Sequence, residues 1–299
     1  AIALNLNRKV DDAESARKHE LLNDRRFRQA LSLAIDRQAV IDAEWLGFGE
    51  PAQIAPGPAS EYDYPKLEKA FTEFDPERAN KMLNAIGLTE RDGEGFRRFA
   101  DGSRMLFYLN VDQSTNVMGA VQMVVEHWAD VGVRVVPRER SAQLFGTEKF
   151  ALMPDMMTME DGSSHNAVGG GNFMPQNAHS QWASAWGRWY WMDGQVGSPK
   201  ADIVTDVPPE GHPILESMRL YDLASTVVDP RDRMKVYEPA LDIAAENLWS
   251  ISIATPPPVL MVVKNGLRNV PRSLVWGFID GQFLNIAYPE TWFWEEPSY

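Results

Sequence analysis

The ten residues from Trp182 to Trp191, WASAWGRWYW, hold four tryptophans and a tyrosine. An indole ring offers a broad apolar face and one N–H donor, which suits a sugar ring or the side chains of a peptide. Trp182, Trp186 and Trp189 are spaced by four and three, so one helix would carry them on a single core-facing side. Arriving after a Gly-rich run, Trp189, Tyr190 and Trp191 would instead line a cleft. Both readings stand at this point, as does a mixture in which Trp182 and Trp186 are buried. Upstream, Glu160 and Asp161 are neighbouring acids. Acid–base work on a glycosidic bond needs two carboxylates placed across it. Sequence neighbours rarely supply that geometry, and a solvated loop end is the simpler reading. Asn172, Gln176 and Asn177 carry amides able to bond sugar hydroxyls or a peptide backbone. Arg188 reads as a surface residue, with a ligand carboxylate as its alternative partner.

Other chemistries find little support. His19, His127, His165, His179 and His212 show no paired-ligand spacing, and His127, beside Trp128, reads as structural. The absence of cysteine excludes thiolate metal sites, disulfides and a thiol nucleophile. There is no G-x-S-x-G, no P-loop and no G-x-G-x-x-G behind a strand; Gly169-Gly170-Gly171 lacks the lysine and the helix of a phosphate cradle. No cofactor is expected. A net charge of −13 argues against a nucleic-acid partner. No apolar run approaches the ~18 residues of a membrane helix.

The elements that would position these residues can be read in order. Ile2 to Leu6 alternates as a short strand, and Val10 to Leu22 is a loop or a helical lead-in. Asp24 caps a helix whose apolar stripe is Phe27, Ala30, Leu31, Ala34 and Ile35, with Arg25, Arg26, Arg28 and Gln29 off it. Asp36 caps the next helix, which ends at Gly47 and Gly49. Asp75-Pro76 opens a third, stopped by Gly87. Met105 to Val111, Ser114 to Val131 and Val133 to Val136 read as strand, helix and strand around Gly132, a βαβ unit on a parallel sheet. A helix at Gln143 to Phe150 and a strand at Asp155 to Met159 follow. Helices over Ile214 to Val227 and from Asp229 to Leu248, kinked at Pro239, lead to strands at Ile251 to Ala254 and Val259 to Val263.

Several stretches together resemble one family. FRQALSLAIDRQAVI followed by GFGEPAQIAPGP, then DPERANKMLNAIGL, the helix–Val131-Gly132–strand join and Val262 to Pro271 are similar to the signatures of the family 5 extracellular solute-binding proteins. The resemblance implies an α/β, periplasmic-binding-protein-like type II fold, here mainly the second lobe of a two-lobed receptor. Residues 1–255 would be that lobe, and 256–299 the return into a first lobe that is missing from this chain. A start at Ala1, without Met or a secretory signal, reads as a mature or truncated piece. The implied function is capture of a peptide in the periplasm and its delivery to the permease of an ABC transporter in the inner membrane, without catalysis. An oligosaccharide is the near alternative ligand, with nickel and haem behind both. A sugar-active hydrolase is the competing class, and a protein-interaction module the third. In peptide-binding members an acidic residue after the strand matching Asp155 to Met159 pairs with the peptide ammonium. Its counterpart would be Asp161, or Glu160, although Met159-Glu160-Asp161-Gly162 departs from the aromatic-or-Ala, Asp, Tyr pattern. The expected ligand-binding residues are Asp161, Glu160, Asn172, Trp182, Trp186, Trp189, Tyr190 and Trp191.

Overall fold

The computed structural model describes residues 1–57, 60, 62–159, 171–194, 206–255, 260–273 and 288–295. One sheet organises most of them. Its strands are β1 (Ile2–Leu4), β2 (Phe107–Asp112), β3 (Val135–Arg140), β4 (Met156–Thr158) and β5 (Ser250–Ile251), in the order β3-β2-β4-β1-β5. β2 runs parallel to both β3 and β4, while β1 lies antiparallel between β4 and β5. A separate pair, β6 (Leu267–Arg268) and β7 (Phe293–Trp294), is antiparallel.

The register sorts side chains onto two faces. Ile2 and Leu4 enter one hydrophobic cluster and Ala3 the other; opposite them, Met156 and Met157 divide in the same way. This is the period-2 alternation of a sheet buried on both sides. The helices are α1 (Ala13–Asn23), α2 (Arg25–Leu33), α3 (Arg37–Trp45), α4 (Pro65–Glu68), α5 (Pro76–Ala85), α6 (Met118–Asp130), α7 (Ala142–Phe150), α8 (Ser184–Trp189), α9 (Pro213–Ser225) and α10 (Pro230–Asn247). On the first face Phe27 and Leu31 of α2, Val40 of α3, Leu83 of α5 and Trp128 of α6 pack over Phe107, Leu109 and Val111. On the second, Phe145 of α7, Trp186 of α8, Met218 of α9 and Tyr237 and Leu241 of α10 join Tyr62 and Leu67.

Local signals explain most boundaries. Asp24, Asp36, Asp75 and Asp229 each accept a first-turn backbone N–H at the start of α2, α3, α5 and α10. Gly132, at φ +84, turns the chain from α6 toward β3. The lead-in before Asp24 is a true helix, because Asp12 and Ser15 cap each other reciprocally. Of the strand expected at Val259 to Val263, Val259 lies outside the described residues, and Leu260 to Val263 is an exposed segment without a ladder partner among the described residues. α10 runs unbroken through Pro239.

The largest departure from the sequence reading concerns arginine. Arg28, off the apolar stripe of α2, is only 1% exposed. Its Nε donates to the Asn247 carbonyl and its Nη1 to the Leu22 carbonyl, both at 2.8 Å. Arg37 is buried likewise and donates to the Ser252 and Ser32 carbonyls, each at 2.9 Å, and to Ser32 Oγ at 2.7 Å. Burial pushes the two guanidiniums down to about 9 and about 10, so both stay charged at neutral pH. Each replaces the water that chain-end carbonyls would otherwise require. Together they fasten the signature helices to the chain around β5, more than two hundred residues away.

Candidate functional site

In an open α/β sheet, ligands bind outside the carboxyl ends of parallel strands, at the point where neighbouring strands send the chain to opposite faces. β2 and β4 meet that condition. The chain leaves β2 for α6, which packs in the first cluster, and leaves the adjacent β4 toward α8, which packs in the second. Between the two exits the floor is closed by the Asp112 N–H donating to Thr158 Oγ1 at 3.2 Å. The β2 exit is rigid: the Asp112 carboxylate accepts from the Ser114 N–H and hydroxyl, at 2.9 and 2.8 Å. Asn116 sits in the left-handed region at φ +50, with its side chain in solvent. At the β3 end, Arg140 Nε and Asn110 Nδ2 converge on Glu148 Oε2 at 2.9 and 2.6 Å. That network ties the last turn of α7 to β2 and β3. None of these crevice residues was singled out from the sequence; the signal that could have found them is the strand–helix–strand join itself.

Glu160 and Asp161 follow directly on Met159, at the carboxyl end of β4, and lie outside the described residues. Asn172 is half-buried. Trp182 precedes α8 rather than sharing its face, because the Asn7 carboxamide oxygen accepts from the Ala185 and Trp186 N–H groups, at 3.0 and 3.2 Å, and starts the helix there. Trp182 stacks on Trp249 with ring centres 5.1 Å apart and planes 4° from parallel. Trp186 meets the edge of His212 at 4.8 Å. This aromatic group sits in the core where β5 begins, at the end of the sheet away from the crevice. Among the described residues its three indole N–H groups, on Trp182, Trp186 and Trp249, have no partner. Tyr190 is buried too, its hydroxyl donating to the Asp222 carboxylate, while Trp189 is partly buried against the same core. Trp191 is the ring of the series that faces out, 55% exposed. α8 thus starts at the end of the sheet away from the crevice, and the chain carries its aromatics along α9 toward Tyr221 and Asp222.

Charge inside this region is uneven. Arg188 is not a surface residue: it is buried, donates to the Phe150 carbonyl and Ser184 Oγ at 2.9 and 3.1 Å, and leaves Nε unpaired among the described residues. Lys149, equally buried, donates to the His179 carbonyl at 3.5 Å and lies 4.8 Å from the centre of the Phe150 ring. Burial, then the charge of Arg188, lowers the Lys149 ammonium below its ordinary range. His212 Nδ1 accepts the Ile214 N–H at 3.2 Å, so the proton of the neutral ring is on Nε2. Burial, then the nearby Arg28 charge, pushes it down to about 4. Among the described residues no three His, Asp or Glu side chains gather as a metal site, and no helix is long and apolar enough to cross a membrane.

Comparison with known proteins gives this geometry a family. Residues 1–185 match the model of the bacterial extracellular solute-binding proteins, family 5 middle region. The oligopeptide-binding protein AppA of Bacillus subtilis is 32% identical over 120 residues, which are 40% of this chain and 22% of AppA. Di/tripeptide-binding protein 3 of Pseudomonas aeruginosa is 26% identical over 119 residues, 39% of this chain and 20% of that protein. The solved structure of an oligopeptide-binding protein OppA aligns at a TM-score of 0.76 and 30% identity, covering 99% of this chain and 46% of that one. MelB of Agrobacterium fabrum C58, solved with stachyose, shares the fold at a TM-score of 0.65 and 20% identity, over 84% of this chain and 37% of MelB. The chain therefore spans less than half of these two structures. With the family model covering well over half of its residues, this chain belongs to the bacterial extracellular solute-binding proteins of family 5.

Proposed function

We propose that this chain is the second lobe of an extracytoplasmic receptor that captures a peptide and hands it to an ABC transporter permease. The observation that carries the reading is the coincidence of two features at one sheet edge. The switch-point crevice opens at the carboxyl ends of β2 and β4. In the same register, Ile2 pairs with Thr158 on one side and Ile251 on the other, so the chain enters β1 and leaves β5 at that edge. A second lobe joined through those crossings would stand over the crevice and close on a solute by a hinge. Residues 1–255 form the lobe on this reading. The segment from 256 onward returns to the other lobe, which accounts for Leu260 and Val262 at 87% and 92% exposure and for Phe293 and Trp294 facing solvent on the β6–β7 pair. None of these four side chains belongs to either core cluster.

Peptide is placed first because the relatives above are oligopeptide- and dipeptide-binding proteins. Asp161 or Glu160, which follow β4 in sequence, would hold the peptide ammonium, with Asn172, Trp189 and Trp191 along the wall. Oligosaccharide is the second reading, favoured by exposed Trp191 and by the stachyose bound to MelB. The receptor containing both lobes, titrated calorimetrically with di- to pentapeptides and with oligosaccharides, tests this. Peptide binding without turnover, weakened by Asp161→Asn, is expected. Turnover of any of these ligands would replace the receptor reading with an enzyme.

A further inference from the structure

The turn that follows α3 holds two large apolar side chains in water: Leu46 is 83% exposed and Phe48 is 63% exposed. The turn is fixed. Leu46 occupies the left-handed region at φ +54, which disfavours residues with a Cβ. The Gly47 and Phe48 N–H groups donate back to Ile41 and Trp45 at 3.1 and 2.9 Å. Gly49, at φ +129, lies so close to the Thr255 carbonyl that a Cβ would come within 3.0 Å of it. Next to it, Thr255 N–H donates to the Glu50 carbonyl at 3.0 Å, the Glu50 N–H donates to Thr255 Oγ1 at 3.2 Å, and the Ala52 N–H donates to the Ile253 carbonyl at 3.3 Å. These bonds extend β5 past the crevice edge, so Leu46 and Phe48 stand on the rim beside the outgoing chain. The α3 end is backed by Trp45, packed on the first core cluster, and by Glu44 against Gly119 at the start of α6.

We propose that Leu46 and Phe48 are the contact this lobe makes with the other lobe when the receptor closes, an inference that rests on the receptor reading above. A rigid rim that keeps apolar surface wet loses free energy in the lone lobe and regains it only against a covering surface. The covering surface named here is the polypeptide that makes up the rest of such a receptor, of which this chain matches 46% in OppA. The contact exists only in the closed form, so it sets the closed fraction and, through it, the apparent affinity.

The test uses the receptor with both lobes and the double variant Leu46→Ser, Phe48→Ser. Calorimetry with the best-binding peptide and the ligand-induced fall in radius of gyration by X-ray scattering are measured together. Burial of one such side chain corresponds to ~10-fold or more in an equilibrium constant. The variant should therefore bind at least tenfold more weakly and close less at equal occupancy, with ligand-free melting unchanged. Equal affinity and equal closure would overturn the proposal. Weaker binding with normal closure would overturn it in favour of direct contact with the solute; normal binding and closure with lost uptake in cells would overturn it in favour of a permease contact. If the unmodified receptor binds no solute at all, the receptor reading fails and takes this inference with it.

Discussion

Replacing Arg28 with methionine tests whether the buried guanidiniums hold the fold together. Methionine keeps the length and the apolar stem of the side chain but donates nothing. The Leu22 carbonyl at the end of α1 and the Asn247 carbonyl at the end of α10 would each lose a 2.8 Å charge-assisted bond inside the core. An unpaired buried carbonyl costs about 1–3 kcal/mol. Against that loss stands the relief of no longer burying a cation, which for buried charges is often worth ~1–4 kcal/mol. Among the described residues no carboxylate pairs directly with Arg28, so no opposite charge is stranded, and two carbonyls against one cation leave a net loss of about 1–3 kcal/mol. For a chain of this size that lowers the melting temperature by about 3–10 °C. Thermal melting followed by tryptophan fluorescence suits the case, because the guanidinium lies 5.5 Å over the Trp249 ring. Hydrogen exchange should show lost protection at the Asn247–Trp249 junction before the rest of the sheet opens. A variant that melts within ~1 °C of the parent with that protection intact would refute the argument.

Gly187→Ala places a Cβ 2.1 Å from the Asn177 carbonyl oxygen, so α8 or the chain beneath it must move. A loss of about 1–3 kcal/mol and an altered near-UV tryptophan spectrum are expected; an unchanged melt would show that the approach is not tight. His212 titrates lower folded than unfolded, so between pH 6.5 and about 4 the unfolded chain binds the extra proton and stability falls as pH drops through that window. His212→Asn keeps an acceptor for the Ile214 N–H and should flatten that fall in an acid-denaturation series. Lys149→Met removes a buried cation that no carboxylate approaches among the described residues, and should raise stability by about 1–2 kcal/mol at neutral pH. Because the folded ammonium titrates below its unfolded value, the gain should shrink as pH rises toward 10.5 in parallel melts.

The elements that depend on neighbours in sequence were legible. Asp75 before Pro76, and Gly132 between α6 and β3, each state a boundary within a few residues of where it falls. What depended on distant partners was not. Arg28 looks like a solvent residue because helical spacing puts it off the apolar stripe; one of its two acceptors is 219 residues away. The spacing of Trp182 and Trp186 suggests one helix, yet α8 is started by Asn7, whose carboxamide is 178 residues upstream of Ala185. Val259 to Val263 has strand composition, but composition cannot supply a neighbour to pair with. The crevice was hidden for the same reason. It is created by the placement of β4 beside β2, with β1 inserted next to it, and strand order is a property of the whole sheet.

That insertion has a consequence for how the lobe assembles. β1 comes first in the chain, yet its partners are Thr158 and Ile251. β2, α6 and β3 can form among themselves, whereas the early strand must wait, unpaired, for two segments made much later. A fold dominated by such distant pairings is slow to form. Until β5 arrives, β1 is an apolar edge with free N–H and C=O groups, a template for the wrong chain. A chain cut short before Ser250 should therefore do more than lose a little stability: it should associate edge to edge, with aggregation rather than unfolding as its first symptom.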